Sequence, residues 1–463
     1  MVRVTHGELL CGDPLSRAEG VSSDSRQLQA GELFIPLPGP RFDGHDFIGQ
    51  ALAKGAAGSL VRRGREGRVR EKDFPGKFFI MVDDVLRALG DLAHFWRTRQ
   101  PAKIVAITGS NGKTTTKEMT AQILSEKFRV LKTEGNLNNL IGLPLMLLKL
   151  SPKHDVAVLE MGMSEPGELR KLKAIAAPQV SLITNIGHAH LEFLGNLEGV
   201  ARAKGELWEG LGENDWIGVN VDDPQVAKLA TSARCRKKTF GIIQEADVRA
   251  EDVSRPSAKG ARFSLSMGER KRPVSLAAFG RHNIYNALAA ATLAAILEVD
   301  MDRIAAGLAK FQPFPGRGKV IALRRNVHIL DDSYNANPDS LEATLSAFAE
   351  MKGENRGLLV LGDMLELGSG SKDAHKKAGE RIGEIKGAHL FLLGEQAGHL
   401  AEGAKAAGIE AQNVRVVRNH QEALEGLGKM VKEGDWILVK GSRRMAMERV
   451  IEALEQCPKQ RVA

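Results

Sequence analysis

The sequence predicts an α/β protein of three domains: a small α/β unit over residues 1–100, a central unit with a mainly parallel sheet over 101–312, and a doubly wound unit over 313–463. Three observations predict it. The chain is 463 residues long, and domains of about 150 residues are common. From residue 103 onward, apolar runs alternate with helical stretches, the rhythm of parallel strands joined by crossover helices. The 49 glycines suit the tight turns that this alternation needs. With 43% hydrophobic and only 5% aromatic residues, the cores should be aliphatic.

Taken in order, GELFIPLPG (31–39) and FFIMVDD (78–84) read as short strands of the first unit. A boundary is expected at Pro101. IVAIT (104–108) reads as a strand and 113–127 as a helix. DVAVLEMG (155–162) and VSLITNIG (180–187) read as further strands, followed by helices over 166–176 and 197–208. From 215 to 280 strand-like runs dominate, and an antiparallel annex to the same sheet is expected there. Residues 283–297 form an Ala/Leu-rich helix, and FQPFPGRGK (311–319) reads as a linker. Beyond it, strands near 327, 357, 389, 414 and 436 alternate with helices, which predicts an open Rossmann-like sheet.

Composition excludes several classes. Lys plus Arg is 65 and Asp plus Glu 57, for a net charge of +8; this favours anionic ligands. The basic residues are scattered without interleaved aromatics, so no nucleic acid partner is expected. Cys11, Cys235 and Cys457 have neither metal-ligand nor disulfide-framework spacing. No apolar run is long enough to span a bilayer, and no signal core opens the chain. A cytoplasmic protein is expected.

The stretch GSNGKTTT (109–116) follows a strand and opens a helix. Such a turn surrounds phosphate oxygens with backbone N–H groups, neutralises them with Lys and offers a hydroxyl to Mg²⁺. Gly109, Ser110, Asn111, Gly112, Lys113, Thr114 and Thr115 are therefore candidate phosphate-loop residues. The strict pattern wants Gly at 107, where this chain has Ile107. The loop alone names no reaction, since switches, kinases and ligases share it.

Further motifs follow in order: Glu160 at the end of DVAVLEMG, His190 in ITNIGHAHLEFLG, Lys204 in ARAKGELWEG, then GRHNIYNALAA (280–290), PFPGRGK (313–319) and LDDSYNANPDS (330–340). Together these resemble the Mur ligase family, ATP-dependent amide-forming enzymes of peptidoglycan precursor synthesis. The resemblance covers almost the whole chain. It implies a UDP-binding N-terminal domain, a central P-loop ATPase domain and a C-terminal domain that binds the acceptor. DSRQLQAGELFIPLPGPRFDGHDFI (24–48), GNLNNLIGLP (135–144), LGDMLELG (361–368) and KGSRRMAMERV (440–450) are similar to the branch that joins D-alanyl-D-alanine to UDP-N-acetylmuramoyl-tripeptide through an acyl phosphate. The Asp-Asn-Pro-Arg stretch of the diaminopimelate-adding branch is absent.

The resemblance implies roles. Lys113 would neutralise the β- and γ-phosphates of ATP, and Thr114 and Glu160 would ligate Mg²⁺. His190 and Lys204, the latter carrying a CO₂-derived carbamate, would hold a second Mg²⁺. Arg317 would reach the γ-phosphate. Asn283 and Asn286, at i and i+3 on one helix face, would face ATP, and Asp332 the ribose. Tyr334, Asn335 and Asn337 would lie near the cleft. Ser25, Arg26 and the Asp43-Gly44-His45 turn are candidates for the UDP-sugar, and Asn136, Asn138 and Asn139 for the muramoyl peptide. Three asparagines equally suit a hydrogen-bonded turn. Arg443 or Arg444, at an expected helix start after a strand, would meet the dipeptide carboxylate. A monomer is expected. The alternatives are a folylpolyglutamate synthetase, which lacks such an N-terminal domain, and a P-loop switch, which would not need Glu160, His190 and Lys204 together.

Overall fold

A computed structural model describes residues 1–39, 41–69, 71–254 and 260–456. The chain divides into two compact units. The first comprises 1–106, 128–163 and 167–180; the second comprises 107–127, 164–166 and 181–463.

The first unit holds β1 (Glu8–Cys11), β2 (Gly20–Ser22), β3 (Glu32–Phe34), β4 (Gly58–Arg62) and β5 (Phe78–Val82), in the order β1-β5-β4-β3-β2. Only β1 is antiparallel to its neighbour. Alternation places Leu33, Leu60, Phe78 and Ile80 on one face, against Val85, Leu89 and Leu92 of the helix Val85–Arg97. The other face packs Phe34, Val61 and Phe79 against Ile48, Ala51 and Leu52 of a second helix. Asp84 caps the Val85–Arg97 helix by accepting from the N–H groups of Leu86 and Arg87. β6 (Lys103–Thr108) begins in this unit, which also holds β7 (Val130–Lys132) and β8 (Val156–Glu160), paired in parallel.

The second unit opens with the helix Lys113–Leu124. It continues with β9 (Val180–Ile183), β10 (Trp216–Asn220), β11 (Arg236–Gly241), β12 (Val248–Glu251), β13 (Ala261–Met267) and β14 (Arg270–Leu276), neighbours in that order. The expected antiparallel annex is only half antiparallel. β10, β11 and β12 run parallel, and only β13 and β14 reverse. The helix Pro224–Ser232, capped by Asp223 and opened by Pro224, is the crossover that makes β10 and β11 parallel; β11 and β12 are joined by residues 242–247 with no helix between them. The Ala-rich helix Arg281–Ile296 is buried nearly all round.

The remaining strands are β15 (Lys319–Ala322), β16 (His328–Asp332), β17 (Gly357–Gly362), β18 (Ala388–Leu393), β19 (Val414–Val417) and β20 (Trp436–Lys440). Their order is β15-β16-β20-β17-β18-β19, parallel except for β15. Apolar clusters cover both faces, as a doubly wound sheet requires. Because β20 lies between β16 and β17, their carboxyl ends meet: Asp332 and Leu361 both pair with Lys440 in register.

Candidate active site

The phosphate loop follows β6. Ile107 is a fully buried residue of that strand, so the missing glycine is no defect: the turn begins at Gly109. Gly109 (φ 146°) and Gly112 (φ 80°) adopt conformations that side chains disfavour. A Cβ on either would also collide, with Thr184 Oγ1 at 1.8 Å or Asn286 Oδ1 at 2.1 Å. A second segment braces the loop. Ser110 N–H donates to the Asn185 carbonyl (3.0 Å) and Asn111 N–H to Asn185 Oδ1 (2.9 Å), while Thr184 Oγ1 donates to the Asn111 carbonyl (2.6 Å). Lys113 Nζ curls back onto the carbonyls of Gly109 (2.7 Å) and Ser110 (3.1 Å). Thr184 and Asn185 were not singled out from sequence, because their partners lie more than 70 residues away.

Asn283 and Asn286 are both buried and bond to each other (3.0 Å). Asn286 Oδ1 also accepts from Thr116 Oγ1 (3.3 Å). The pair therefore forms a floor for the loop and its helix. Arg317 Nη2 reaches Thr114 Oγ1 (3.3 Å), and its guanidinium stacks 3.8 Å from the Tyr334 ring centroid. Asn337 Nδ2 donates to Asn111 Oδ1 (2.9 Å) and Asn337 also caps the helix Pro338–Lys352. Lys113, Thr114, Arg317, Tyr334 and Asn337 are thus gathered about one loop.

Lys204, on the helix Leu197–Gly205, is buried. Burial, with the charge of Lys113 nearby, drives its ammonium well below the usual lysine range. His190 sits at φ 57° and its Nδ1 meets Glu366 Oε2 at 2.7 Å. That hydrogen bond holds the Glu366 carboxyl low against the opposing pull of burial, with Arg444 adding a smaller share. Next to it, His188 N–H and Nδ1 contact Asp339 (2.6 and 3.0 Å).

Asp332 ends β16 and bonds to Lys440 Nζ and Thr344 Oγ1. Burial would raise its carboxyl, but the Lys440 charge and these bonds outweigh it and leave it below the usual range. Lys440 Nζ also donates to the Asn335 carbonyl (3.0 Å). The helix expected to start at Arg443 and Arg444 begins later: residues 443–445 form a single 3₁₀ turn, and the helix is Glu448–Gln456. Arg443 pairs with Glu448 (2.8 Å) and lies 5.2 Å from the Tyr334 ring centroid.

In the first unit, Glu160 is buried at the end of β8. Its Oε1 accepts from Asn138 Nδ2 (2.9 Å), whereas Oε2 is buried with no hydrogen-bond partner among the described residues. Asn139 accepts from the N–H groups of Ile141 and Gly142, and Asn136 is exposed. Ser25 Oγ donates to Gln50 Oε1 (2.8 Å). Arg26 is exposed and forked onto Asp24. Asp43 accepts from His45 N–H and meets His45 Nδ1, while His45 Nε2 accepts from Arg62 N–H (2.9 Å). Gly44 is needed there because a Cβ would meet the Leu37 carbonyl at 2.6 Å.

The donor set fits Mg²⁺. Among the described residues, no three His, Cys, Asp or Glu side chains cluster as a metal cage. Mg²⁺ beside a nucleotide needs none, since one or two carboxylates join phosphate oxygens and water. A buried, unpartnered carboxylate oxygen such as Glu160 Oε2 is the kind of acceptor that a cation satisfies.

Fold and site together define an ATP-dependent ligase built on a P-loop. Profiles of the Mur ligase family match in three consecutive stretches: the family's catalytic domain at 17–97, the Mur ligase middle domain at 107–294 and the glutamate ligase domain at 316–443. The chain is 38% identical to the UDP-N-acetylmuramoyl-tripeptide–D-alanyl-D-alanine ligase of Escherichia coli over 98% of its own length and 97% of the relative's. It is 37% identical to that of Bacillus subtilis over 95% and 93%. A crystal structure of MurF from Acinetobacter baumannii superposes with a TM-score of 0.89 at 32% identity, covering 98% of both chains. MurF of Thermotoga maritima in complex with ADP superposes at 0.81, with 28% identity, covering 98% of this chain and 100% of that one. The chain belongs to the Mur ligase family.

Proposed function

We infer that this chain is the ATP-dependent, ADP-forming ligase that joins D-alanyl-D-alanine to UDP-N-acetylmuramoyl-tripeptide in peptidoglycan precursor synthesis. The observation that carries the reading is similarity at 37–38% identity, running through all three matched stretches, to ligases named for that reaction. The match at 17–97 sets it apart from folylpolyglutamate synthetases. The three domains would divide near residues 100 and 312.

The chemistry divides among the chain's residues. The tripeptide carboxylate attacks the γ-phosphorus of ATP, ADP leaves, and an acyl phosphate forms. The dipeptide amine then attacks the acyl carbon, phosphate leaves and a proton is lost. Loop N–H groups and Lys113 hold the phosphates, and Arg317 balances charge on the transferring group. Thr114 and Glu160 are each candidate ligands of Mg²⁺, and His190 and Lys204 would hold a second ion. Mg²⁺ at these places would supply charge neutralisation and alignment of the phosphates. A buried lysine whose ammonium form is disfavoured is suited to add CO₂, giving an anionic carbamate and a proton, and the positive charge of Lys113 then attracts the carbamate. Asp332 would meet the ribose. Arg443 or Arg444 would meet the dipeptide carboxylate. Arg26 is the exposed candidate for the UDP-sugar, with Ser25 and the Asp43–His45 turn shaping that edge. Asn136 faces solvent for the muramoyl peptide, and Asn138 and Asn139 support it. No described helix is long and apolar enough to cross a membrane; a cytoplasmic monomer is the working assignment.

The test is phosphate release by the purified chain with ATP, Mg²⁺ and UDP-N-acetylmuramoyl-tripeptide, with and without D-alanyl-D-alanine. Release that needs both substrates, with a product of pentapeptide mass, is expected. Release indifferent to the dipeptide would overturn the acceptor assignment.

A further inference from the structure

Glu366 lies in LGDMLELG, a motif to which the reaction as derived above gives no role. It belongs to the stretch matched at 316–443, whereas His190 belongs to that matched at 107–294. Both residues hold left-handed backbone, at φ 62° and 57°. Neither is glycine, so each conformation costs free energy that the surroundings must offset. The result is a two-point contact. The Glu366 carboxylate takes His190 Nδ1 at 2.7 Å, and the Glu366 carbonyl accepts from Glu192 N–H at 3.2 Å. Gly368 packs on the same turn, where a Cβ would lie 3.4 Å from Glu192 Cα.

A carboxylate on Nδ1 fixes the imidazole tautomer. Nδ1 carries the hydrogen, Nε2 keeps its lone pair, and the ring cannot rotate without losing the bond. We propose that Glu366 is a positioning residue: it aims His190 Nε2 as a ligand for a divalent cation, so that this ligand is competent only when the 316–443 stretch is seated on the 187–194 turn. The inference rests on the reading of His190 as a metal ligand. It makes the metal site dependent on the part of the chain that would carry the acceptor.

The experiment titrates Mn²⁺, followed by electron paramagnetic resonance, into the full chain saturated with a non-hydrolysable ATP analogue. Wild type is compared with His190→Ala, Glu366→Ala and Glu366→Gln. Gln retains an oxygen to accept from Nδ1. The expected result is that His190→Ala and Glu366→Ala weaken the same class of Mn²⁺ by about tenfold or more, as removal of an outer partner typically does. Glu366→Gln should recover most of that loss, with the ATP analogue kept saturating for every variant. Should Glu366→Ala not fold, Glu366→Asp, which retracts the carboxylate by one methylene, takes its place with the same expectation. If Glu366→Ala binds Mn²⁺ as wild type does while His190→Ala is weakened, the positioning role is wrong and the ligand reading survives. If His190→Ala is also unaffected, the ligand reading fails and takes the inference with it.

Discussion

The phosphate-loop region and the N-terminal sugar-side region use similar residue types in opposite ways. Around the loop, side chains arrive from far along the sequence: Arg317 on Thr114, Asn337 on Asn111, Asn286 beneath Gly112. In the N-terminal region the named residues mostly bond to near neighbours, Arg26 to Asp24 and His45 to Asp43. Long-range convergence of polar groups is costly to build and marks chemistry. Local pairing is what turns need in order to form. The comparison teaches that the first region should answer mutation in rate and the second mainly in stability.

The sharpest test of the first half is Lys113→Ala. Loss of a preorganised charge on the transferring phosphate should lower kcat by about a thousandfold, with thermal stability nearly unchanged. Arg317→Ala should follow at about a hundredfold, and Arg317→Lys should recover little, since Lys can neither fork nor stack on Tyr334 as the guanidinium does. Steady-state kinetics beside thermal melts check both. Comparable losses of stability and rate would break the comparison.

The C-terminal sheet supplies an intermediate case. Lys440→Met leaves the part-buried Asp332 without its counter-charge, with Thr344 Oγ1 as its remaining side-chain donor, and should cost about 2 kcal/mol by denaturant unfolding. Acid titration gives the sign. The folded Asp332 carboxyl lies below its ordinary value of 3.8, so its contribution is fully present above about pH 4 and is lost as pH falls through the lowered folded value. The stability gap between wild type and Asp332→Asn should therefore be constant near neutrality and shrink below about pH 4. A gap that grew on acidification would reverse the assignment.

In the N-terminal region, His45→Ala leaves the Arg62 N–H without its acceptor and should cost about 2 kcal/mol. The KM for the UDP-sugar peptide should stay within about twofold, because both ring nitrogens are already engaged. A rise in KM without a fall in melting temperature would move His45 from the scaffold to the binding surface.

What was legible in the sequence follows the same division. The phosphate loop could be read because Gly, Lys and Thr occupy positions that only those residues fill. His190, Lys204 and Arg317 could be found through their neighbours in ordered motifs. Glu366 lay inside a motif but had no assigned task, since its left-handed backbone and its partner 176 residues away leave no local pattern. Lys440 opened the motif at 440–450 without an assigned task for the same reason: strand order, not spacing, places it beside Asp332. The parallel pair β10-β11 departs from expectation because its crossover helix spans only nine residues, although Asp223-Pro224 announced it.

The smallest expected effect on stability is also the most informative about the sugar side. Arg26 is exposed, and its pairing with Asp24 is a surface ion pair, a kind that contributes little to stability. Arg26→Ala should therefore leave the unfolding midpoint nearly unchanged. Yet the fork on Asp24 holds the guanidinium in one orientation before any ligand arrives, and an anionic or uracil group meeting it would pay little ordering entropy. If Arg26 contacts the UDP-sugar, KM for that substrate should rise about tenfold, equivalent to about 1.4 kcal/mol, with kcat and the KM values for ATP and the dipeptide unmoved. An unchanged KM would place Arg26 with its neighbours as part of a folded turn and would send the search for the uridine contacts to other side chains of the first unit.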